Sequence, residues 1–325
     1  ALALSLDPDQ ALNGLLDLAE RDKAVLKKLL NKHDSAVRLC AILGASKALS
    51  DFLRRQPDAL AVFEKVHSID LGPDAYRQAI SESVKPILKA GFETPEAWNA
   101  LRKAYRIELL KIAIFDLTSP DPEQALPTVA AALADIAGGA IEAGLEVARA
   151  ELSFTKDHGI FTAEEIAATR LTVMAMGKCG ARELNYISDV DVIYVAQSGD
   201  PGVENHRAVE VATKLATRMM RAMDGTASEP DLWQVDPNLR PEGKSGALVR
   251  TLESHVAYYD RWAESWEFQA LLKARPIAGD LELGEAYVAA LGPKVWASAG
   301  RENFVESAQK MRERVMQFIP ANELN

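Results

Sequence analysis

Cysteine is scarce in this sequence: only Cys40 and Cys179 occur among 325 residues. Two thiols supply neither the paired framework of a small disulfide-rich protein nor a cluster of metal ligands. Such sparing use of cysteine is typical of proteins that work in a reducing compartment, so we expect a cytoplasmic location.

Long apolar runs are also lacking. No uninterrupted hydrophobic stretch is long enough to cross a bilayer, and the opening residues ALALSLDPDQ lack a charged region followed by an apolar one. We therefore expect no membrane partner. The chain opens at Ala1 rather than Met and closes on a polar stretch, as a fragment of a longer protein would.

Positive charge is in deficit, with 37 Lys and Arg against 47 Asp and Glu and a net charge of −10. This balance argues against general nucleic-acid binding. Hydrophobic residues make up 48% and charged residues 26%, which are ordinary values for a globular protein. A chain of this length can bury sizeable cores in two domains.

The first half of the chain has the apolar spacing of successive helices. Leucines at helical intervals predict one helix over 11–30 and another over 36–52, the second capped by Asp34-Ser35. Thr94-Pro95 is a helix start signal, because a hydroxyl N-cap precedes proline at the first helical position. Asp121-Pro122 opens a long alanine-rich helix that should reach about residue 150.

The hydrophobic period changes near Arg170. Three short apolar runs have the β-branched content and glycine boundaries of buried strands, and they cover 171–176, 190–196 and 232–236. Helical spacing occupies 203–223, and after about Tyr258 the pattern returns to helix through Phe318. The sequence thus predicts a mostly helical α+β protein. We expect a helical domain over 1–165, a compact domain with a small mixed sheet over 166–280, and the start of a further helical region over 281–325.

Three aspartates in the sheet region point to metal chemistry. Asp189 and Asp191 project from one face of the second predicted strand, because side chains alternate along a strand. Two carboxylates at that spacing repel each other unless a cation lies between them, and Mg²⁺ is the natural choice because it prefers oxygen ligands. Asp236 ends the next predicted strand and would complete a two-metal site.

A glycine turn lies directly upstream of these acids. Gly177 and Gly180 would let backbone N–H groups approach a phosphate closely, and Lys178 adds a positive charge. Taken singly, an Asp-x-Asp pair is more often a solvated strand end, and two glycines are more often turn residues. The combination of strand, glycine turn, acid pair and third acid favours a phosphate and metal site.

These residues also resemble a known family. The stretch GKCGARELNYISDVDVIYV at 177–195 resembles the signature of glutamine synthetase adenylyltransferase/adenylyl-removing enzymes, which belong to the DNA polymerase β-like nucleotidyltransferases. Four more segments are similar to that family: LGASKALSDFLRRQPD at 43–58, RIELLKIAIFDL at 106–117, VDPNLRPEGKSGALVR at 235–250 and WEFQALLKARPIAGD at 266–280. The resemblance therefore covers most of the chain.

The resemblance implies a polymerase β-like nucleotidyltransferase domain over 166–280, with catalytic, metal-binding acids at Asp189, Asp191 and Asp236. It also implies a set of residues that bind nucleotide or phosphate, namely Gly177, Lys178, Gly180, Ser188, Arg240 and Lys244. Further positive charge near the triad would come from Arg250, Lys273 and Arg275. For the basic residues of both sets, the alternative is an ordinary surface salt bridge.

Family members carry two catalytic halves on one chain, of which the N-terminal half removes AMP from a tyrosine of glutamine synthetase and the C-terminal half adds it. Glu183-Leu184-Asn185 is similar to the removing half. The resemblance thus implies phosphorolysis of the AMP–tyrosine ester, which yields ADP and free tyrosine. Ala181 departs from the family pattern, which commonly has a second glycine there, and this affects the expected turn geometry but not the acids.

Other interpretations stay open. The same fold could add AMP from ATP, could be a non-catalytic docking or regulatory module, or could act only together with the rest of its chain. The resemblance implies glutamine synthetase, inorganic phosphate, an adenine nucleotide, a PII-type signal protein and the C-terminal half of the parent chain as partners. Cys179 should serve packing alone. The histidines lack metal-ligand spacing, and they are His33, His67, His158, His206 and His255.

Overall fold

The computed structural model describes residues 1–90, 94–300, 305–306, 309–310 and 312–313. The helices are α1 (Pro8–Arg21), α2 (Lys23–Leu30), α3 (His33–Ala45), α4 (Lys47–Arg55), α5 (Pro73–Ala90), α6 (Thr94–Thr118), α7 (Pro122–Gly159), α8 (Ala163–Ala168), α9 (Gly177–Gly180), α10 (Asn205–Asp224), α11 (Leu252–Arg261), α12 (Ser265–Leu271) and α13 (Leu281–Ala297). The strands are β1 (Thr169–Ala175), β2 (Val190–Ser198), β3 (Val235–Asp236), β4 (Val249–Arg250) and β5 (Arg275–Gly279). The predicted class, mostly helical with one small mixed sheet, is confirmed.

Two helices predicted as continuous are each broken in the structure. The Asp22 side chain accepts hydrogen bonds from the backbone N–H groups of Ala24 and Val25, so it ends α1 and caps α2. Ser46 separates α3 from α4 in the same way, because its hydroxyl accepts from the N–H of Leu49. Short polar side chains that satisfy the first N–H groups of a helix start a new helix within an otherwise helical pattern.

Helix α7 begins as predicted, with the Asp121 carboxylate accepting from the N–H of Gln124. Its length and composition would allow it to span a membrane, although Asp135 and Glu142 interrupt its apolar sequence. Because 78% of its apolar window is buried inside the protein, α7 has the character of a core helix.

By its contacts the chain forms two compact units. The first comprises Ala1–Ala143 together with the short segments Arg182–Tyr186 and Thr226–Pro230. Its core is a cluster of buried side chains from α1, α3, α4 and α6, among them Leu18, Ile42, Phe52 and Leu110. Burying this many aliphatic and aromatic groups is the main stabilising contribution to such a unit.

Both short segments are held by polar contacts within the first unit. Arg182 donates to the carboxylate of Asp135 at 2.6 Å. Glu229 receives a hydrogen bond on its backbone carbonyl from Arg102 at 2.9 Å and donates its own N–H to the side chain of Asn99 at 2.8 Å. Arg102 is fully buried. The Glu229 carbonyl accepts a hydrogen bond from its guanidinium, which lowers the cost of burying that charge.

The second unit comprises Gly144–Ala181, Ile187–Gly225 and Asp231–Asn325, and it contains the five-stranded sheet. The strand order is β3-β2-β1-β5, with β4 also pairing β2. Strand β1 is antiparallel to β2 and β5, whereas β3 and β4 are parallel to β2. On β2, Ile193 and Val195 pack with Tyr259, Phe268 and Tyr287 of the later helices.

The predictions for this unit need three corrections. The third predicted strand, 232–236, is a strand only at Val235–Asp236. Strand β4 was not predicted, because a strand of two residues is too short to show a hydrophobic alternation. Strand β5 interrupts the region predicted as helix after Tyr258. It lies at the edge of the sheet and includes Pro276, which an edge strand tolerates because it need not donate on both sides.

The helical pattern does resume after β5. Helix α13 spans Leu281–Ala297, and the described residues between 305 and 313 are also helical. The predicted end of this helix at Phe318 lies outside the described residues. The predicted domain limits at 165 and 280 stay predictions.

Candidate functional site

The acidic group is built from two adjacent parallel strands. Asp191 on β2 lies directly opposite Asp236 on β3, and the N–H of Val190 donates to the carbonyl of Gln234 at 3.0 Å just upstream. Asp189 precedes β2 by one residue. The carboxylates of Asp189, Asp191 and Asp236 each offer an oxygen within 4.8 Å of the others.

The three neighbouring carboxylates of this acidic group repel one another. Burial, followed by the charges of Asp189 and Asp236, raises the pKa of Asp191 to about 6, while Lys178 acts in the opposite direction. A carboxylate whose ionised form is destabilised by its neighbours favours a compensating cation. The geometry and the all-oxygen donor set fit a hard divalent ion such as Mg²⁺.

The glycine turn lies against the acids. The N–H of Met176 donates to the carbonyl of Asp191 at 2.9 Å, and the chain then enters the single turn α9. Gly177 has φ +52°, and a Cβ on it would lie 2.7 Å from Oδ2 of Asp191. A Cβ on Gly180 would overlap the carbonyl oxygen of Lys273. Only glycine therefore allows the turn to approach both the carboxylate and the neighbouring chain so closely.

A closed loop follows Asp236. Its carboxylate accepts a hydrogen bond from the N–H of Asn238 at 2.8 Å, which fixes the carboxylate in a turn two residues long. Arg240 is buried beneath this loop, and its guanidinium donates to the carbonyls of Pro237, Lys244 and Gly246. The Asn238 contact was not predicted from the sequence, although an Asp followed two residues later by a loop N–H is a recognisable turn signal.

The predicted phosphate-binding residues lie on both sides of the triad. Gly177, Lys178 and Gly180 form the turn after β1, whereas Arg240 and Lys244 belong to the loop after β3. Lys178 and Lys244 are exposed, and Ser188 is half-buried beside Asp189. Direct contact of these residues with phosphate or nucleotide stays a prediction, as does metal ligation by the acids.

The remaining basic residues have partners of their own. Arg275 donates to the carbonyls of Cys179 and Gly180 at 3.1 Å each. Arg250 pairs with Glu242 and lies over the ring of Tyr258. Cys179 is buried, and among the described residues the acidic triad, without any histidine, is the group arranged to hold a metal ion.

Comparison with known proteins gives a consistent family relationship. Residues 36–290 match the family model for glutamate-ammonia ligase adenylyltransferase. The chain is 50% identical to a bifunctional glutamine synthetase adenylyltransferase/adenylyl-removing enzyme of Leifsonia xyli, with 100% of this chain and 32% of the relative covered. Enzymes of the same name from Streptomyces avermitilis and Mycobacterium avium are 45% and 43% identical, over 100% and 99% of this chain and 31% and 30% of the relatives.

The chain thus spans about a third of the length of the curated relatives that it matches. The family model covers the helical region as well as the sheet, the acidic triad and both flanking loops. This chain belongs to the glutamate-ammonia ligase adenylyltransferase family.

Proposed function

We propose that this chain removes AMP from an adenylylated tyrosine of glutamine synthetase by phosphorolysis. The observation that carries the proposal is the convergence of three carboxylates beside a glycine turn that only glycine can form. Family membership supports a nucleotidyl-transfer reaction at this site, and the names of the relatives include both adenylyl transfer and adenylyl removal.

In the proposed reaction an oxygen of inorganic phosphate attacks the phosphorus of the AMP–tyrosine ester. A new P–O–P bond forms, the bond from phosphorus to the tyrosine oxygen breaks, and ADP and tyrosine are released. The departing phenolate, whose reference pKa is about 10, takes a proton from the attacking phosphate or from water. Transfers of this kind need in-line positioning and charge stabilisation rather than a covalent enzyme intermediate.

The chain's own residues divide these tasks. Asp189, Asp191 and Asp236 would hold Mg²⁺, which when bound stabilises negative charge on the phosphoryl oxygens. Gly177 carries no side chain where a Cβ would meet Oδ2 of Asp191 at 2.7 Å, so the backbone N–H groups of the turn would be able to approach a phosphate. Lys178 and Lys244 would supply positive charge from the two flanking loops, where flexible ammonium groups can follow a phosphate.

The direction of the reaction is proposed from Glu183-Leu184-Asn185, which resembles the removing half of the family. The opposite direction is the second candidate, because the same acids would serve the addition of AMP from ATP with release of pyrophosphate. A PII-type signal protein, the rest of the parent chain and a cytoplasmic setting belong to the same proposal through the family resemblance.

Two parallel incubations decide between the directions. One contains adenylylated glutamine synthetase, Mg²⁺ and phosphate, and the other contains unmodified synthetase, Mg²⁺ and ATP. We expect ADP in the first, lost in Asp191→Asn, and no pyrophosphate in the second. Pyrophosphate in the second alone would reverse the direction. If neither incubation yields its product and the chain also fails to bind Mg²⁺, the result would favour a non-catalytic docking module.

A further inference from the structure

Two arginines beside the acidic triad direct their guanidinium groups to backbone carbonyls. Arg240 donates through Nε to Gly246 at 3.1 Å, through Nη1 to Pro237 at 2.8 Å and through Nη2 to Lys244 at 3.2 Å. Its exposed fraction is 9%, so these contacts satisfy a largely buried cation. Arg275 donates through Nε to Gly180 and through Nη2 to Cys179, both at 3.1 Å.

Each arginine thereby holds the backbone that carries one lysine. The carbonyl of Lys244 is itself an acceptor for Arg240, and Lys178 lies in the single turn whose last two carbonyls accept from Arg275. Both lysine side chains are exposed, and the charge of Lys178 acts on Asp191 of the triad. The site therefore has two pairs, each with one arginine bonded to the backbone and one exposed lysine.

The Arg240 side chain contributes to the shape of the loop after β3. The backbone–backbone hydrogen bonds within the loop are short-range turns, such as Gly243 N–H to the carbonyl of Arg240 and Gly246 N–H to that of Gly243. Glu242 adds an ion pair with Arg250 and a backbone hydrogen bond with Tyr258. The Arg240 guanidinium links the beginning of the loop at Pro237 to its end at Gly246. A planar fork with several fixed donors can do this, whereas a lysine ammonium has one flexible point of attachment.

We propose that Arg240 and Arg275 are positioning residues that set the two loops around the triad, while Lys178 and Lys244 bind the phosphate groups. This inference rests on the proposed function, which supplies phosphate groups as the ligands. It replaces direct phosphate contact as the role of Arg240. Through the loop, Arg240 also supports the turn in which Asn238 fixes the Asp236 carboxylate.

Hydrogen exchange on the metal-free and substrate-free protein tests the positioning role. In Arg240→Lys we expect the amides of 237–246 to exchange about tenfold faster, because local opening becomes easier when the carbonyl contacts are lost. Arg275→Lys should do the same for 177–181. Lys244→Ala and Lys178→Ala should leave both segments protected. Arg207→Lys, which replaces an arginine of the second unit that pairs with Glu165, is the matched control and should also leave them protected. Unchanged exchange in both arginine variants overturns the positioning role.

Calorimetric titration with ADP and Mg²⁺ tests the lysines. We expect Lys178→Ala and Lys244→Ala each to weaken ADP binding by about tenfold, as loss of a charged contact worth about 1.4 kcal/mol would. Unchanged affinity in both overturns their assignment. ADP is the product of the proposed removal of AMP and resembles ATP, the substrate of the alternative addition of AMP. The exchange and titration experiments therefore do not depend on which reaction the chain catalyses. A wild-type chain that binds no ADP would contradict the proposed function and the lysine assignment, while the exchange result would still decide the arginines.

Discussion

Asp191 and Asp236 lie opposite each other on two parallel strands, and each carries its carboxylate toward the same point. With Asp189 they place three acidic groups within 4.8 Å. Burial, followed by the charges of these two neighbours, raises the pKa of Asp191 to about 6. Holding the Asp191 carboxylate where its ionised form is disfavoured is a cost to the fold. Such costs are expected where a site is built to receive a cation.

Asp191→Asn should therefore stabilise the metal-free protein at neutral pH. The folded-state pKa of about 6 exceeds the usual value of 3.8, so the folded state carries a penalty that is absent at low pH and complete above about pH 6. We expect a gain on the order of 1–3 kcal/mol at pH 7.5 in EDTA, from denaturant unfolding. Activity should be lost at the same time.

The pH dependence of the gain tests whether the Asp191 charge is its cause. The gain in the free energy of unfolding should shrink as the pH falls from 6 to 4. In that range the Asp191 carboxyl of the folded wild type becomes protonated and no longer carries the penalty of its ionised form. A gain that does not change with pH would mean that the substitution acts through packing. Mg²⁺ should raise the melting temperature of the wild type but not that of the variant.

Gly177→Ala should abolish activity and weaken metal binding. The added methyl group would lie 2.7 Å from Oδ2 of Asp191, and the φ of +52° disfavours any side chain. Turnover and Mn²⁺ affinity by electron paramagnetic resonance are the measurements. Gly292→Ala is the matched control, because a Cβ there meets nothing within 4 Å, and it should leave both unchanged. Wild-type turnover in Gly177→Ala would contradict the close approach of this turn to the acids.

In the first unit, Asp135→Ala should destabilise the fold by about 1–3 kcal/mol, the usual cost of removing a buried partner. Asp135 is 1% exposed and receives Arg182 at 2.6 Å, whereas Arg182 is 39% exposed and can regain water. Glu82→Ala is the control, since its pair with Lys85 is exposed on one helix and should contribute below about 0.5 kcal/mol. Thermal and urea unfolding measure both variants. Equal losses of stability in Asp135→Ala and Glu82→Ala would show that the burial of Asp135 makes no difference.

His255 should add acid sensitivity to the second unit. Burial, followed by the charge of Arg250, lowers its pKa to about 4, and its ring packs edge-on against Tyr287. The unfolded chain takes up the proton near pH 6.5, so stability should fall between pH 6.5 and 4 by up to about 3 kcal/mol. His255→Phe should flatten that part of the stability curve. His33→Gln, which alters an exposed side chain, should leave the slope unchanged, and an unaltered slope in His255→Phe would refute the assignment.

Local periodicity predicted the elements that are long enough to have a period. Strands β1 and β2, helix α10 and the start of α7 were located to within a few residues. Helix ends set by a single side chain, such as Asp22 and Ser46, were missed because the apolar spacing continues through them. Strand β5 was missed because five residues are too few to interrupt the helical pattern predicted after Tyr258.

The sequence by itself determined the acidic character of the site, because the spacing of Asp189 and Asp191 is a local property of the chain. Strand alternation predicted that both lie on one strand face, whereas in the structure Asp189 precedes β2 by one residue. The sequence also predicted Asp236 as the third acid, but only the tertiary structure decided how it arrives, because a parallel pair of two residues between segments far apart in the chain sets Asp236 opposite Asp191. It also decided what the arginines contact. The resemblance implied a phosphate contact for Arg240 and positive charge near the triad for Arg275, and the tertiary structure adds the backbone carbonyls that both guanidinium groups contact when the loops fold around them.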